Sequence, residues 1–343
     1  FFGETDLYLW VIGRDGIRMT DLGPQAPILA AASRVYRALA HGADPPAADL
    51  AMLSRTLLGP ASPLPAPVLR VAADGPLRYL PFELLADPAR PPAPLIDRLS
   101  VVYLPSASML SAPSAAQGTG ARQPALDLAG FGDPVLRPAG VALSRTSQTS
   151  RTSPTSQTPR GFLLERFGLV QLPAAAGELA AVSRELGGRR RLWTGAAATE
   201  AAFRAAVIRG ARVVHLATHT VIDERPGRGA AILLTPEGGD DGLLTPEEIA
   251  RLDDRADLTV LAACRTAVNA EDAAAGGGAL VSLTGAFLAA GSRGVVATLW
   301  DVDDAATAAF MAQLYDQLGR GDPPAEALRR AKLRLRADSR RNH

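Results

Sequence analysis

The chain of 343 residues is 47% hydrophobic, enough for a sizeable core in two domains or in one large domain of two halves. Lys plus Arg number 36 and Asp plus Glu 35, so no basic excess draws it to nucleic acid or an anionic membrane. Its single cysteine, Cys264, excludes an internal disulfide and a CxxC metal knuckle and points to a reducing, cytoplasmic setting.

No apolar run approaches about 18 residues, so no membrane span is expected. The opening Phe1-Phe2-Gly3 lacks a Met and reads as the edge of a longer protein. Residues 1–20 alternate apolar and polar and break at Arg14-Asp15-Gly16, which predicts a hairpin. Helical spacing follows over 27–58 (Leu29, Val35, Tyr36, Leu39, Leu50, Leu53, Leu57). The apolar runs Val68–Ala72 and Leu99–Leu104 read as buried strands, and Leu126–Phe131 as another, ending at Gly132-Asp133-Pro134. Residues 111–124 and 144–160 are rich in small and polar side chains. Such segments cannot offset their ordering entropy by burial and read as disordered.

From 162 onward strands and helices alternate. Pro173 opens a helix that stops at Gly187-Gly188. A short strand over 191–194 precedes a helix capped by Thr199. Arg212–Ala217, Leu258–Ala263 and Gly294–Leu299 read as buried strands, with a helix over 279–290 before the last and two more over 305–318 and 324–337. This alternation predicts a mainly parallel sheet covered on both faces.

In such a sheet, ligands sit beyond the carboxyl ends of the strands. One strand is followed by Thr218-His219-Thr220, a second by Cys264-Arg265-Thr266, and a third by Trp300-Asp301-Val302-Asp303-Asp304. His219 and Cys264, 45 positions apart (264 − 219), would then share one cleft. A thiol is a weak nucleophile until an imidazole takes or stabilises its proton. The intermediate it forms needs hydrogen-bond donors at its oxygen, for which the backbone N–H groups of Thr220 and Cys264 are candidates. A lone cysteine or a strand-end histidine is, taken singly, more often structural. His215 lies inside its strand among Val213, Val214, Leu216 and Ala217 and reads as a satisfied core residue. Asp301, Asp303 and Asp304 either line a pocket for a basic side chain or cap the next helix. No metal-ligand spacing or cofactor fingerprint is present, so no cofactor is expected.

The blocks His215–His219 (HLATH) and Leu261–Thr266 (LAACRT) are similar to the His and Cys motifs of clan CD peptidases, the caspase and separase relatives. The closer resemblance is to the CHAT domain and covers nearly the whole chain. It is carried by Leu80-Pro81-Phe82-Glu83-Leu84-Leu85, Tyr103-Leu104-Pro105-Ser106-Ala107, Gly132-Asp133-Pro134 and Leu172-Pro173-Ala174 with Glu178. Asp241-Gly242-Leu243-Leu244-Thr245, Ala286-Phe287-Leu288 and Val295–Val302 with Asp304 continue it. The resemblance implies a three-layer α/β/α caspase-like fold with a mainly parallel sheet. Its parts would be a non-catalytic amino-terminal half (1–143), the Ser/Thr-rich loop (144–160) and a catalytic half (161–338). It further implies a cysteine endopeptidase with Cys264 and His219 as the dyad, protein or peptide substrates, and upstream tetratricopeptide repeats that regulate access. A catalytically silent caspase-like scaffold is the alternative.

Overall fold

The computed structural model describes residues 3–13, 16–64, 67–110, 124–136, 160, 164, 168–222, 229–262, 279–300, 302 and 304–341. The expected hairpin forms: β1 (Asp6–Gly13) pairs antiparallel with β2 (Gly16–Pro24), placing Trp10 opposite Met19 and Ile12 opposite Ile17. α1 (Gln25–Ala40) turns Ile28, Ala31, Ala32, Val35 and Tyr36 inward at helical spacing. The helix-spaced pattern then breaks before α2 (Ala47–Leu53), because Gly42 takes a positive φ and Pro45-Pro46 cannot continue a helix.

β3 (Val68–Val71) and β4 (Ser100–Tyr103) pair parallel as a ribbon apart from the main sheet. Here the structure corrects the expectation of buried strands. Leu69, Val71 and Val101 pack on the amino-terminal core, whereas Val68 and Arg70 face outward. β3 is the open edge of the ribbon and buries one face only, whereas Ser100 of β4, opposite Val68, is 3% exposed.

The main sheet has five parallel strands: β5 (Leu126–Pro134), β6 (Arg190–Gly195), β7 (Ala211–Ala217), β11 (Leu258–Leu261) and β12 (Val295–Ala297), in the order β12-β11-β7-β5-β6. Between β7 and β11 the chain makes a small antiparallel sheet, β8 (Thr220–Ile222), β9 (Ala230–Leu233) and β10 (Leu243–Leu244), which the sequence reading did not anticipate. β12 is shorter than expected and half-buried, as an edge strand is.

Strand alternation sorts the core into two layers. Leu128, Val213, Leu258 and Val260 meet α3 (Pro173–Leu186), α7 (Asp304–Gly319) and α8 (Pro324–Arg341) through Val182, Leu314, Tyr315, Ala327 and Ala331. Ala129, Phe131, Val214, Leu216 and Leu261 meet α4 (Glu200–Arg209) and α6 (Ala279–Ala290) through Phe203, Val207, Leu283 and Phe287. Phe131 stacks on Trp193 at 4.7 Å and meets Phe203 edge-on at 5.4 Å. The caps follow the sequence: Thr199 Oγ1 accepts the Ala202 N–H at 3.2 Å, and Thr245 with Glu248 closes a capping box on α5 (Pro246–Ile249).

Residues 83–100 meet the main-sheet layer along α8. Glu326 accepts from Ser100 Oγ at 3.1 Å, and Arg329 Nη1 donates to the Ile96 carbonyl at 2.9 Å. Lys332 pairs with Glu83 at 2.5 Å, and Arg336 with Asp97. Spacings of three to four residues put these side chains along one stripe of the helix.

Of the Ser/Thr-rich loop, residues 144–159 lie outside the described residues, as do 111–123 of the earlier polar stretch. Arg160, assigned to the end of that loop, is instead 7% exposed. Its guanidinium donates to the carbonyls of Val135, Leu136, Asp241 and Gly242. Four carbonyl partners compensate a buried cation.

Glu200 is 1% exposed, accepts the Gly242 N–H at 2.9 Å and pairs with Arg204 at 2.6 Å. Burial, with the neighbouring Glu248 carboxylate, pushes its carboxyl from 4.5 up to about 6. Between those values the folded chain keeps a proton that the unfolded chain has released. Its contribution to stability is therefore full below pH 4.5 and lost as the pH rises through about 6. At roughly 1.4 kcal/mol per unit, the loss is about 2 kcal/mol. Glu326 acts oppositely: its bond to Arg329 holds it at about 2, so its contribution is lost only as the pH falls from 4.5 toward 2. Melting temperatures should decline between pH 4.5 and 7, and Glu200→Gln, which keeps an acceptor for Gly242, should flatten the decline. An equal slope in the variant would refute the assignment.

Candidate active site

From β5 the chain steps outward to β6, then crosses back to β7 on the other side of β5. The loops leaving β5 and β7 therefore diverge at their carboxyl ends and open a crevice between them, the topological switch point of the sheet. β5 delivers Gly132-Asp133-Pro134 to this place, and β7, paired with it through Gly132 and Ala217, delivers Thr218-His219.

Two glycines make the placement possible. A Cβ on Gly130 would stand 2.9 Å from Leu179 Cδ2, and one on Gly132 would stand 2.8 Å from Leu179 Cδ1 and 3.2 Å from the Ala217 carbonyl oxygen. The missing side chains form a notch that Leu179 fills, seating α3 against β5. Seating α3 brings the segment before it, Val170-Gln171-Leu172, to the crevice.

His219 is 2% exposed. Its backbone is held by β9, since the Leu233 N–H donates to the His219 carbonyl at 2.9 Å and Thr218 Oγ1 donates to the Leu233 carbonyl at 2.5 Å. The imidazole Nε2 lies 2.7 Å from the Val170 carbonyl oxygen. A carbonyl only accepts, so Nε2 carries the hydrogen, and in the neutral ring the lone pair resides on Nδ1. Val170 was invisible to sequence reasoning because the group that acts is a backbone carbonyl, which every residue has.

His215 behaves as the sequence suggested. It is 0% exposed, with Nε2 donating to Glu178 Oε1 at 3.0 Å and Nδ1 accepting from the Tyr315 hydroxyl at 2.8 Å. Burial, with Glu178 nearby, holds the Tyr315 hydroxyl well above its ordinary pKa, so it remains a donor. All three groups are satisfied, and they tie α3, β7 and α7 together through the sheet.

Beside β7, β11 carries the chain to Ala262, 0% exposed, whose N–H donates to the Leu216 carbonyl at 3.0 Å. Cys264, two positions further on, lies outside the described residues, as do Asp301 and Asp303. Asp304 opens α7. Thr220, buried at 1%, begins β8 opposite Ile232. At the end of β12, the Tyr36 hydroxyl of α1 donates to the Leu299 carbonyl at 3.1 Å, and its ring meets Trp300 edge-on at 6.1 Å. α1 thus reaches the same edge of the sheet. Among the described residues, no group of three or more His, Cys, Asp or Glu could hold a metal ion, and no helix is long and apolar enough to cross a membrane.

A five-stranded parallel sheet of this order, helices on both faces and a histidine at the switch point define a caspase-like α/β protein. The CHAT domain family matches residues 36–343, and the chain belongs to that family. The CHAT domain is related to the clan CD cysteine peptidases and is often joined to tetratricopeptide repeats. No curated protein matches the chain.

Proposed function

We propose that the chain is a cysteine endopeptidase in which Cys264 is the nucleophile and His219 the base. The observation that carries this reading is the His219 ring itself, at the switch point and with its Nε2 hydrogen committed to the Val170 carbonyl. That bond leaves Nδ1 as the proton acceptor. The Ala262-to-Leu216 bond supports the pairing, since it joins the strand leading to Cys264 to the strand leading to His219.

In the reaction, Nδ1 of His219 takes the thiol proton and the thiolate attacks the peptide carbonyl. The tetrahedral oxygen is met by the N–H groups of Cys264 and Thr220. The bond from Leu233 N–H to His219 makes 219/233 a hydrogen-bonded pair of the antiparallel ladder. The next pair, Thr220 with Ile232, is then non-hydrogen-bonded, and the Thr220 N–H turns away from β9. The imidazolium returns its proton to the leaving amine, and water hydrolyses the thioester, releasing acid and restoring the thiol. Asp301, Asp303 and Asp304 follow the edge strand of the site and would line a pocket preferring a basic side chain before the cut. The substrates are proteins or peptides, the setting is cytoplasmic, and upstream tetratricopeptide repeats would regulate access.

The test is the alkylation rate of the single thiol as a function of pH in wild type and His219→Ala. A free thiol titrates near pH ~8.5, and a His-paired one reacts well below that. Wild type should label rapidly near neutrality, and His219→Ala should lose that limb of the profile. Slow labelling in both would defeat the dyad and favour a scaffold, a reading to which the 2% exposure of His219 already lends some support.

A further inference from the structure

We propose that Gln171 is a positioning residue for His219, a role that rests on reading His219 as the base. Gln171 Nε2 lies 3.2 Å from the Asp133 carbonyl oxygen, 2.5 Å from Asp133 Oδ1 and 2.7 Å from the Pro134 carbonyl oxygen. Its two N–H bonds are shared among three acceptors, all at the carboxyl end of β5. The preceding residue, Val170, offers the carbonyl that takes the His219 Nε2–H. One dipeptide therefore ties both sides of the switch point: β5 through the Gln171 side chain, and the turn after β7 through the Val170 backbone.

Val170 itself is 63% exposed, between Leu169, 4% exposed in a small core with Val221 and Leu243, and Leu172, packed on Leu179 and Ala217. The anchors of α3, Glu178 and Leu179, lie two helical turns downstream. Leu169 fixes the chain before the Val170 carbonyl, and the Gln171 amide clamp is the polar constraint directly after it. β5 is shaped to meet it. Asp133 has φ +47°, alone among the described non-glycine residues in being positive, and the register against β6 shifts between Gly132 and Pro134. Such a conformation is costly and persists where surrounding contacts hold it. Here one amide engages both polar groups of Asp133 and the carbonyl after it.

Without the clamp, the Val170 carbonyl keeps only the packing of Leu169 and Leu172 to orient it, and the imidazole's bias toward hydrogen on Nε2 weakens. A larger fraction then carries hydrogen on Nδ1 and cannot accept the thiol proton. A small misplacement of a catalytic group can cost on the order of a hundredfold in rate.

Two-bond ¹⁵N–¹H correlation spectra of the whole chain report the tautomer of each of its four histidines, with His219 assigned by its loss in His219→Ala. Wild type should show the Nε2–H form at His219, and Gln171→Ala a mixture. Labelling of Cys264 at pH 7 should slow by about tenfold or more, with the melting temperature close to wild type because Gln171 is exposed. Asp133→Asn keeps an acceptor and tolerates a left-handed backbone, so it should track wild type. An unaltered tautomer in Gln171→Ala overturns the proposal. Labelling that ignores His219→Ala defeats the peptidase reading, and a tautomer shift in Gln171→Ala would still establish the clamp.

Discussion

Against a peptide selected from a library for cleavage by wild type, Cys264→Ala should turn over at least about ten-thousandfold more slowly, the scale of losing the nucleophile of a working unit. The mechanism requires His219→Ala to lose nearly as much, because a thiol without its base is seldom ionised. The double variant should then be no worse than either single one, since the two residues act as one device. Additive losses would mean that His219 serves binding or folding instead. If His219→Ala cost less than about tenfold, the base would lie elsewhere. The same library reads the side chain before the cut. Asp→Asn at 301, 303 and 304 should weaken a preference for Arg or Lys, and an unaltered preference would remove those residues from the pocket.

Glu178→Ala should destabilise the fold by about 2–3 kcal/mol, the scale for leaving a buried donor without a partner. The donor is the Nε2–H of His215, 0% exposed and facing Glu178 at 3.0 Å. For a chain of 343 residues that corresponds to roughly 3–4 °C in melting temperature. Glu178→Gln keeps an amide oxygen for the same hydrogen and should cost under about half as much. A double-mutant cycle with Tyr315→Phe should show coupling, because Tyr315 fills the other nitrogen of the same ring. Glu178 also anchors α3, whose leading segment holds His219, so Glu178→Ala should slow Cys264 labelling as well. A melting temperature unchanged within about 1 °C would show that the His215 contact contributes nothing.

Much of this was legible in the sequence. The apolar runs read at 212–217 and 258–263 are long and uniform enough to mark strands buried on both faces, and the strands span Ala211–Ala217 and Leu258–Leu261. Position relative to the end of β7 separated the two histidines, since His215 lies inside the strand among apolar neighbours and His219 two residues past its end. Pro173, Gly187 and Thr199 marked helix ends because each has a local backbone reason to stand there. β8, β9 and β10 were not legible, since runs of two to four residues carry no readable period and owe their pairing to one another. The outward face of β3 was misread because burial depends on how many layers cover a strand, which a local apolar run does not encode. Nor was the Val170 contact legible, since the partner chosen by a carbonyl is decided by tertiary packing.

The charged stripe of α8 has a consequence for how the protein is made. Ser100 and Glu326 are 226 positions apart, and Glu83 and Lys332 are 249. At about 5–20 residues per second, a ribosome needs roughly 10–50 s to cover that interval. Throughout it, the earlier half has emerged with Glu83 and the Ile96 carbonyl still waiting for the cations that will meet them. The nascent chain thus passes through an interval in which half a molecule is present and its fastening is not, a period suited to capture by a chaperone or to pairing with the α8 of a neighbouring chain.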